Sequence, residues 1–270
     1  MKGNNDRAIC LMVIGRKYEK RLDKQREQIE EYAIKCNATV EIIKSPPDPS
    51  FKRPLLAQKL LIAQLLIKYK LVLFLDLDII ISKEAPSVFE SLPSNKSFGA
   101  VLDPRGTPEF KKTWKHLPHG EAETTAIYFT NRNFSNHPEL KGSINGGVFL
   151  FRPNEVAEDF KAYYLSDHNQ GEKNSYEEAP MAYITQTKKQ FYSLDPRYNV
   201  QLLYKLKGTL QGEKLINKEN WIPKFVKRKL YKWLDLSFIP VSGYKDFCNY
   251  YLEQSYFLHF SSGLPLKLNR

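Results

Sequence analysis

The chain opens with an apolar run, Ala8–Ile14 (AICLMVI), that ends at Gly15 and predicts a fully buried strand. A charged segment follows, Lys17–Lys35, with Leu22, Ile29 and Ala33 among its apolar helical positions, and then a second short strand, Thr39–Ile43. Pro46, Pro47 and Pro49 close this unit with a loop. Strand, helix and strand in that order open a parallel α/β sheet. Leu55–Tyr69 carries Leu56, Leu60, Ala63, Leu66 and Ile67 at helical spacing and predicts a buried amphipathic helix. It leads into Leu71–Leu75 (LVLFL), the most hydrophobic strand of the chain. Phe98–Leu102 predicts a further strand, and Ser143–Arg152 (SINGGVFLFR) a turn feeding a strand. Glu155–Leu165 and Glu177–Thr187 predict helices. Residues 103–140 are polar without usable periodicity, and the C-terminal third mixes basic residues with the aromatic runs Tyr250–Tyr251 and Tyr256–Phe260. No internal repeat, low-complexity tract or interdomain linker divides the chain.

The apolar strand at Leu71 does not end cleanly, because it runs into Asp76, Leu77, Asp78 and then Ile79–Ile81. Two acids inside so apolar a stretch need compensation, since an unpaired buried carboxylate costs several kcal/mol. They escape that cost if they face a crevice at the carboxyl end of the strand, where ligands of open α/β sheets bind. On an extended chain, acids at alternate positions point to one face and can approach one hard divalent cation with open positions for phosphate oxygens.

Two other chemistries share these features. Haloacid-dehalogenase-type phosphatases also place Asp-x-Asp after an apolar strand, with the first acid, here Asp76, as nucleophile. Their motif sits near the N-terminus and continues differently from the Ile79–Ile81 run found here. The third candidate is a binding module. The net charge is +11, and Lys205–Lys232 holds nine Lys or Arg against two Glu. Such a block suits a polyanion or a membrane surface. Nucleic acid is not expected, because no RNP, zinc-finger or helix-turn-helix signature is visible.

Several segments together resemble GT-A-fold glycosyltransferases, especially the glycogenin and lipopolysaccharide galactosyltransferase group called family 8. KYKLVLFLDLDIII looks like that family's strand and metal motif. SINGGVFLFRP resembles its Asn-(Ala/Ser)-Gly segment, and LDPRYN is similar to its Leu-Pro-x-x-(Tyr/Trp)-Asn segment. YFLHFSSGLPLK resembles its C-terminal His-Phe-x-Gly-x-x-Lys signature, with Gly263 and Lys267 one residue late. YEEAPMAYI falls where the family often has Asp-Gln at a helix start, and places Glu177 and Glu178 there without the usual amide.

The resemblance implies an α/β fold of GT-A (Rossmann-like) type: one mixed, mostly parallel sheet flanked by helices in a single domain over 1–270. Residues 1–102 would form the nucleotide-binding half and 103–270 the donor-sugar and acceptor half. It implies Mn2+ or Mg2+ on Asp76, Asp78 and His259. It implies a donor-binding set of Gly15, Lys59, Asp76, Leu77, Asn145, Gly146, Gly147 and Lys267. Glu178 and Glu177 are the candidate catalytic acids, either as base for inversion or in support of an oxocarbenium-like centre for retention, toward which the family leans. The expected donor is a nucleoside-diphosphate sugar, a UDP-sugar first, and the acceptor a glycan or glycolipid. Acceptor specificity is expected in 103–140 and 200–245.

Three widely spaced cysteines (Cys10, Cys36, Cys248) form neither a metal pattern nor a disulfide framework, which points to a reducing compartment. The N-terminus does not read as a signal peptide, and no apolar stretch reaches the roughly 18–20 residues of a spanning helix. A cytoplasmic location is therefore expected, with any membrane contact made peripherally through 205–232.

Overall fold

The computed structural model describes residues 6–104, 124–234 and 238–261. The strands are β1 (Arg7–Met12), β2 (Thr39–Ile43), β3 (Leu71–Leu75), β4 (Ile79–Ile81), β5 (Phe98–Leu102), β6 (Ile144–Phe151), β7 (Phe191–Ser193), β8 (Val200–Gln201) and β9 (Phe257–His259). The α-helices are α1 (Arg16–Lys35), α2 (Ile62–Leu65), α3 (Thr125–Thr130), α4 (Pro153–Leu165) and α5 (Glu178–Thr187). The C-terminal part adds α6 (Leu202–Gly208), α7 (Leu210–Asn220), α8 (Lys224–Leu234) and α9 (Tyr244–Glu253).

Six strands form one sheet in the order β2-β1-β3-β6-β5-β7. β1 pairs in parallel with β2 and β3, and β5 in parallel with β7, whereas β6 runs antiparallel to both β3 and β5. The sheet is thus mostly parallel with one reversed strand at its centre. Along β1, Ala8 and Cys10 face one hydrophobic cluster while Ile9 and Leu11 face another. β3 repeats this, with Val72 and Phe74 on the first side and Leu71, Leu73 and Leu75 on the second. The period of two explains why these strands read as unbroken apolar runs: both faces are covered. Phe149 on β6 is the hub of one face, stacked 4.7 Å from Phe74 and 5.6 Å from Phe98.

A second, three-stranded sheet has the order β4-β9-β8. Its cluster, including Ile80, Leu258, Leu202, Leu206 and Phe247, is separate from the two that cover the main sheet. Gln28 on α1 ties this sheet to the first. It donates to the Ile79 carbonyl at 2.9 Å and accepts from the Ile81 N–H at 2.9 Å.

Three expectations change. Leu55–Leu61 winds as a 3-10 helix before the short α2, and it buries Ala57, Gln58, Lys59 and Leu60 consecutively. A single-faced amphipathic α-helix does not bury four neighbours in a row. Asn145, Gly146 and Gly147 lie within β6 and not in a turn before it. Asp76, Leu77 and Asp78 are not extended: the chain leaves one sheet at Leu75, turns through Leu77 and Asp78, and enters the other at Ile79. Cys10, Cys36 and Cys248 are buried free thiols. No helix among the described residues is long and apolar enough to cross a membrane.

Phe149→Ala removes the ring on which Phe74 and Phe98 stack. A loss of about 3–5 kcal/mol in urea-denaturation stability is expected. A loss below about 1 kcal/mol would show that this face collapses around the cavity and is not held by Phe149.

Candidate active site

The reversal of β6 beside β3 builds the site. The register pairs Leu75 with Val148, and one step further the Asp76 N–H donates to the Gly147 carbonyl at 2.8 Å. The acids therefore emerge against the glycines of β6. From the other sheet, β9 pairs His259 with Ile79, and the Phe260 N–H donates to the Asp78 carbonyl at 2.9 Å. This pins the histidine beside the second acid. One ligand atom each from Asp76, Asp78 and His259 lie within 4.8 Å of one another. His259 Nε2 is 3.3 Å from Asp78 Oδ1, and its Nδ1 is 3.0 Å from Asn199 Oδ1. An amide oxygen only accepts, so Nδ1 donates to it and Nε2 is left facing the carboxylates. Burial opposes charge on the imidazole, but Asp78, with Asp76 behind it, outweighs burial and raises its pKa.

Lys59, from the 3-10 helix, enters from the opposite side and is 4% exposed. Its Nζ lies 3.1 Å from Asp76 Oδ1 and 3.0 Å from Glu177 Oε1, and donates to the Gly146 carbonyl at 2.9 Å. Burial works against its charge, yet the two carboxylates outweigh that and hold its pKa above the usual lysine value. Burial pushes Glu177 up to about 7, with Lys59 pulling it down and Glu178 pushing it up. Glu178, at the start of α5, accepts from the Gly146 N–H at 3.0 Å.

The two glycines of β6 are required by close approach. A Cβ on Gly146 would lie 2.5 Å from Glu177 Oε1, and one on Gly147 would lie 2.9 Å from His259 Nδ1. Asn145 accepts from the Gly147 N–H at 3.1 Å and from Asn199 Nδ2 at 3.0 Å. Asn199 thereby links β6 to the histidine.

These groups share one cleft of about 380 Å³. It is lined by Lys59, Asp76, Leu77, Asp78, Asn145, Gly146, Gly147, Glu177, Glu178 and His259. Ten of the expected residues thus meet in one place. Gly15 is not among the lining residues. With φ of +91°, it begins α1, and its carbonyl accepts from the Tyr18 and Glu19 N–H groups. Lys267 lies outside the described residues. Among the described residues, the basic segment 205–232 contributes nothing to the cleft lining.

Sequence reasoning missed the contribution of α1. Lys17, Tyr18 and Arg21 line the cleft, and the buried Arg21 places Nη1 3.7 Å from Asp78 Oδ2. Arg21, Gln25 and Gln28 are buried polar residues at helical spacing beside the apolar stripe, which is the one sequence signal that marks them. Asp103, just past the end of β5, is not among the lining residues. It is buried and accepts from Tyr204 at 3.0 Å and from Gln201 Nε2 at 3.3 Å.

Lys59→Met removes the cation between two carboxylates, one of them fully buried. The folded pKa of Glu177 is raised, so the folded state keeps a proton that the unfolded chain releases, and stability falls as pH rises from 4.5 to about 7. The variant should lose about 3–5 kcal/mol near pH 8 and clearly less near pH 5. Adding Glu177→Gln should recover part of the loss near pH 8. Equal losses at both pH values in urea denaturation would contradict the pairing.

The sequence matches the model of "Glycosyl transferase family 8" over residues 4–226. Comparison with curated proteins finds no match. Among solved structures, a glycosyltransferase involved in glycosylation of the major capsid of PBCV-1 is 14% identical, with a TM-score of 0.50. The alignment covers 94% of this chain and 92% of that one. GlyE of Streptococcus pneumoniae TIGR4 is 13% identical with a TM-score of 0.47, over 94% of this chain and 55% of that one. The galactosyltransferase LgtC, solved with donor and acceptor sugar analogs, is 12% identical with a TM-score of 0.45, over 73% and 77%. At such identities the first likeness speaks to the fold alone, which is the GT-A type. The family match carries the activity class and displaces the phosphatase alternative. The matched residues make up most of the chain, which therefore belongs to glycosyl transferase family 8 and is a glycosyltransferase.

Proposed function

We propose that this enzyme moves a sugar from a nucleoside-diphosphate sugar, with UDP as the nucleotide, to a hydroxyl of a glycan or glycolipid, with retention at the anomeric carbon. The observation that carries the reading is the convergence of Asp76, Asp78 and His259 in one cleft with Asn145–Gly147 and Glu178. The donor set of two carboxylates and one imidazole fits a divalent cation of the Mn2+ type, with Mg2+ second because it prefers oxygen throughout. Asp76, Asp78 and His259 would hold it. When bound, the cation supplies Lewis-acid neutralisation of the charge that grows on the departing diphosphate.

In the reaction the bond from anomeric carbon to diphosphate oxygen breaks and a bond to the acceptor oxygen forms. The acceptor's proton leaves with the nucleoside diphosphate. Lys59 bridges Asp76 and Glu177 and so fixes the first acid for its task. Glu178, lining the cleft, supports the positive charge that develops at the anomeric carbon. Glu177, clamped by Lys59, acts as a positioning group. The absent side chains of Gly146 and Gly147 keep room for the Glu177 and His259 side chains, and Asn145, which lines the cleft, would bond the donor-sugar hydroxyls. Lys267 is assigned to the diphosphate, and Gly15 to the donor side, on sequence resemblance. The chain is taken as one catalytic unit.

Calorimetric titration of UDP, with GDP in parallel, tests the donor assignment. In manganese, UDP should bind, and either EDTA or Asp78→Asn should weaken it by at least about tenfold, or 1.4 kcal/mol. Absence of UDP binding by folded protein would overturn the reading. Glu178→Gln should lower UDP release from UDP-sugars by roughly 10²–10³ with little change in KM. An unchanged rate would remove Glu178 from the mechanism.

A further inference from the structure

Among the described residues, α7, α8 and the turn between them contribute nothing to the cleft, yet they carry the most exposed aromatic side chains of this part of the fold, Trp221 at the C-cap of α7 and Phe225 on α8. α7 buries Gly212, Leu215 and Glu219 on one face. Leu210 and Trp221 are eleven positions apart, three helical turns plus about 20°, so they lie on one side of the helix axis with Lys214 and Asn217 between them. That side is solvent-facing: Leu210 is 80% exposed and Trp221 89%. α8 is tied back onto α7 through Glu219, which accepts from Tyr231 at 2.5 Å and pairs with Lys227 at 3.5 Å. This docking leaves Phe225 69% exposed, in company with exposed Lys224, Arg228 and Lys229. Five exposed cations on the two helices (Lys214, Lys218, Lys224, Arg228, Lys229) face one exposed acid, Glu213, among the described residues.

Folding does not account for this arrangement, because a Trp, a Phe and a Leu left in water contribute nothing to the core. Large apolar groups set among lysines and arginines match the needs of a bilayer interface. The rings enter the headgroup layer while the cations pair with lipid phosphates. A polyanion such as nucleic acid would use the charges but has no use for the aliphatic Leu210. We infer that α7 and α8 form a docking surface for an anionic lipid bilayer, with Trp221, Phe225 and Leu210 inserted and the five cations at the phosphate level. The inference goes beyond the transfer reading and does not rest on it. Its consequence for that reading is that a glycolipid acceptor would meet the enzyme at the membrane surface.

The test is sedimentation of the full chain with vesicles of phosphatidylcholine alone and of phosphatidylcholine with phosphatidylglycerol, over a range of salt. Binding is expected for the anionic vesicles and should weaken with salt. The double variant Trp221→Ala, Phe225→Ala should weaken it by about tenfold, and Lys224→Glu, Arg228→Glu, Lys229→Glu by at least about a hundredfold. Unchanged thermal unfolding midpoints would exclude misfolding as the cause. No binding to anionic vesicles, or equal binding to both vesicle types, overturns the inference. So does binding that the aromatic variant leaves intact while heparin competes fully, which would mark a polyanion surface. Loss of the UDP reading would leave the vesicle result standing, so the two failures are distinguishable.

Discussion

The fold turns on one electrostatic constraint: acidic side chains converge where buried strands end, and charge of opposite sign must meet them. Asp76, Asp78, Glu177 and Glu178 all line one cleft. Without compensation, such a group of carboxylates would cost more than the surrounding packing supplies. Lys59 answers Asp76 and Glu177, while Arg21 and His259 lie beside Asp78. Each of these partners comes from a different element: the 3-10 helix, α1 and β9. The main sheet, the small sheet and the helices between them are thus bound to one another through the charges of the cleft. The glycines of β6 belong to the same constraint. They let Glu177 and His259 close to within contact of the backbone that presents Asn145.

Much of this was legible in the chain. The strand that ends in Asp76 and Asp78, the glycine pair after Asn145 and the late histidine mark seven residues of the cleft, and Lys59, Glu177 and Glu178, read from the family resemblance, make ten. The legible features share a property: each is local, a motif whose neighbours in sequence are also its neighbours in space. What could not be read depends on contacts across long separations. Arg21 and Asp78 meet through the packing of α1 on the small sheet, and Asn199 reaches His259 across sixty positions of sequence. The small sheet itself has strands of two or three residues, too short for any periodicity to announce them. The 3-10 winding at Leu55–Leu61 is likewise set by what must be buried there, and the apolar spacing alone predicts an ordinary helix.

The C-terminal helices show the opposite failure. A block of lysines and arginines obscures the period of α7 and α8 when read as charge, though Leu215, Glu219 and Tyr231 mark their buried sides. Charge alone also could not separate a solvated face from an interaction surface. That distinction came from the exposed aromatics, whose burial state depends on which face of each helix meets the core. Among the described residues the candidate cleft and the basic surface are built from separate parts of the chain, so each can be altered without the other.

Anomalous X-ray scattering from crystals soaked with Mn2+ and UDP, recorded at the manganese edge, tests the metal site most directly. A single strong peak is expected within coordination distance of Asp76, Asp78 and His259, with the diphosphate beside it. A peak at any other group, or a diphosphate bound in the cleft with no metal between it and the two acids, would contradict this assignment.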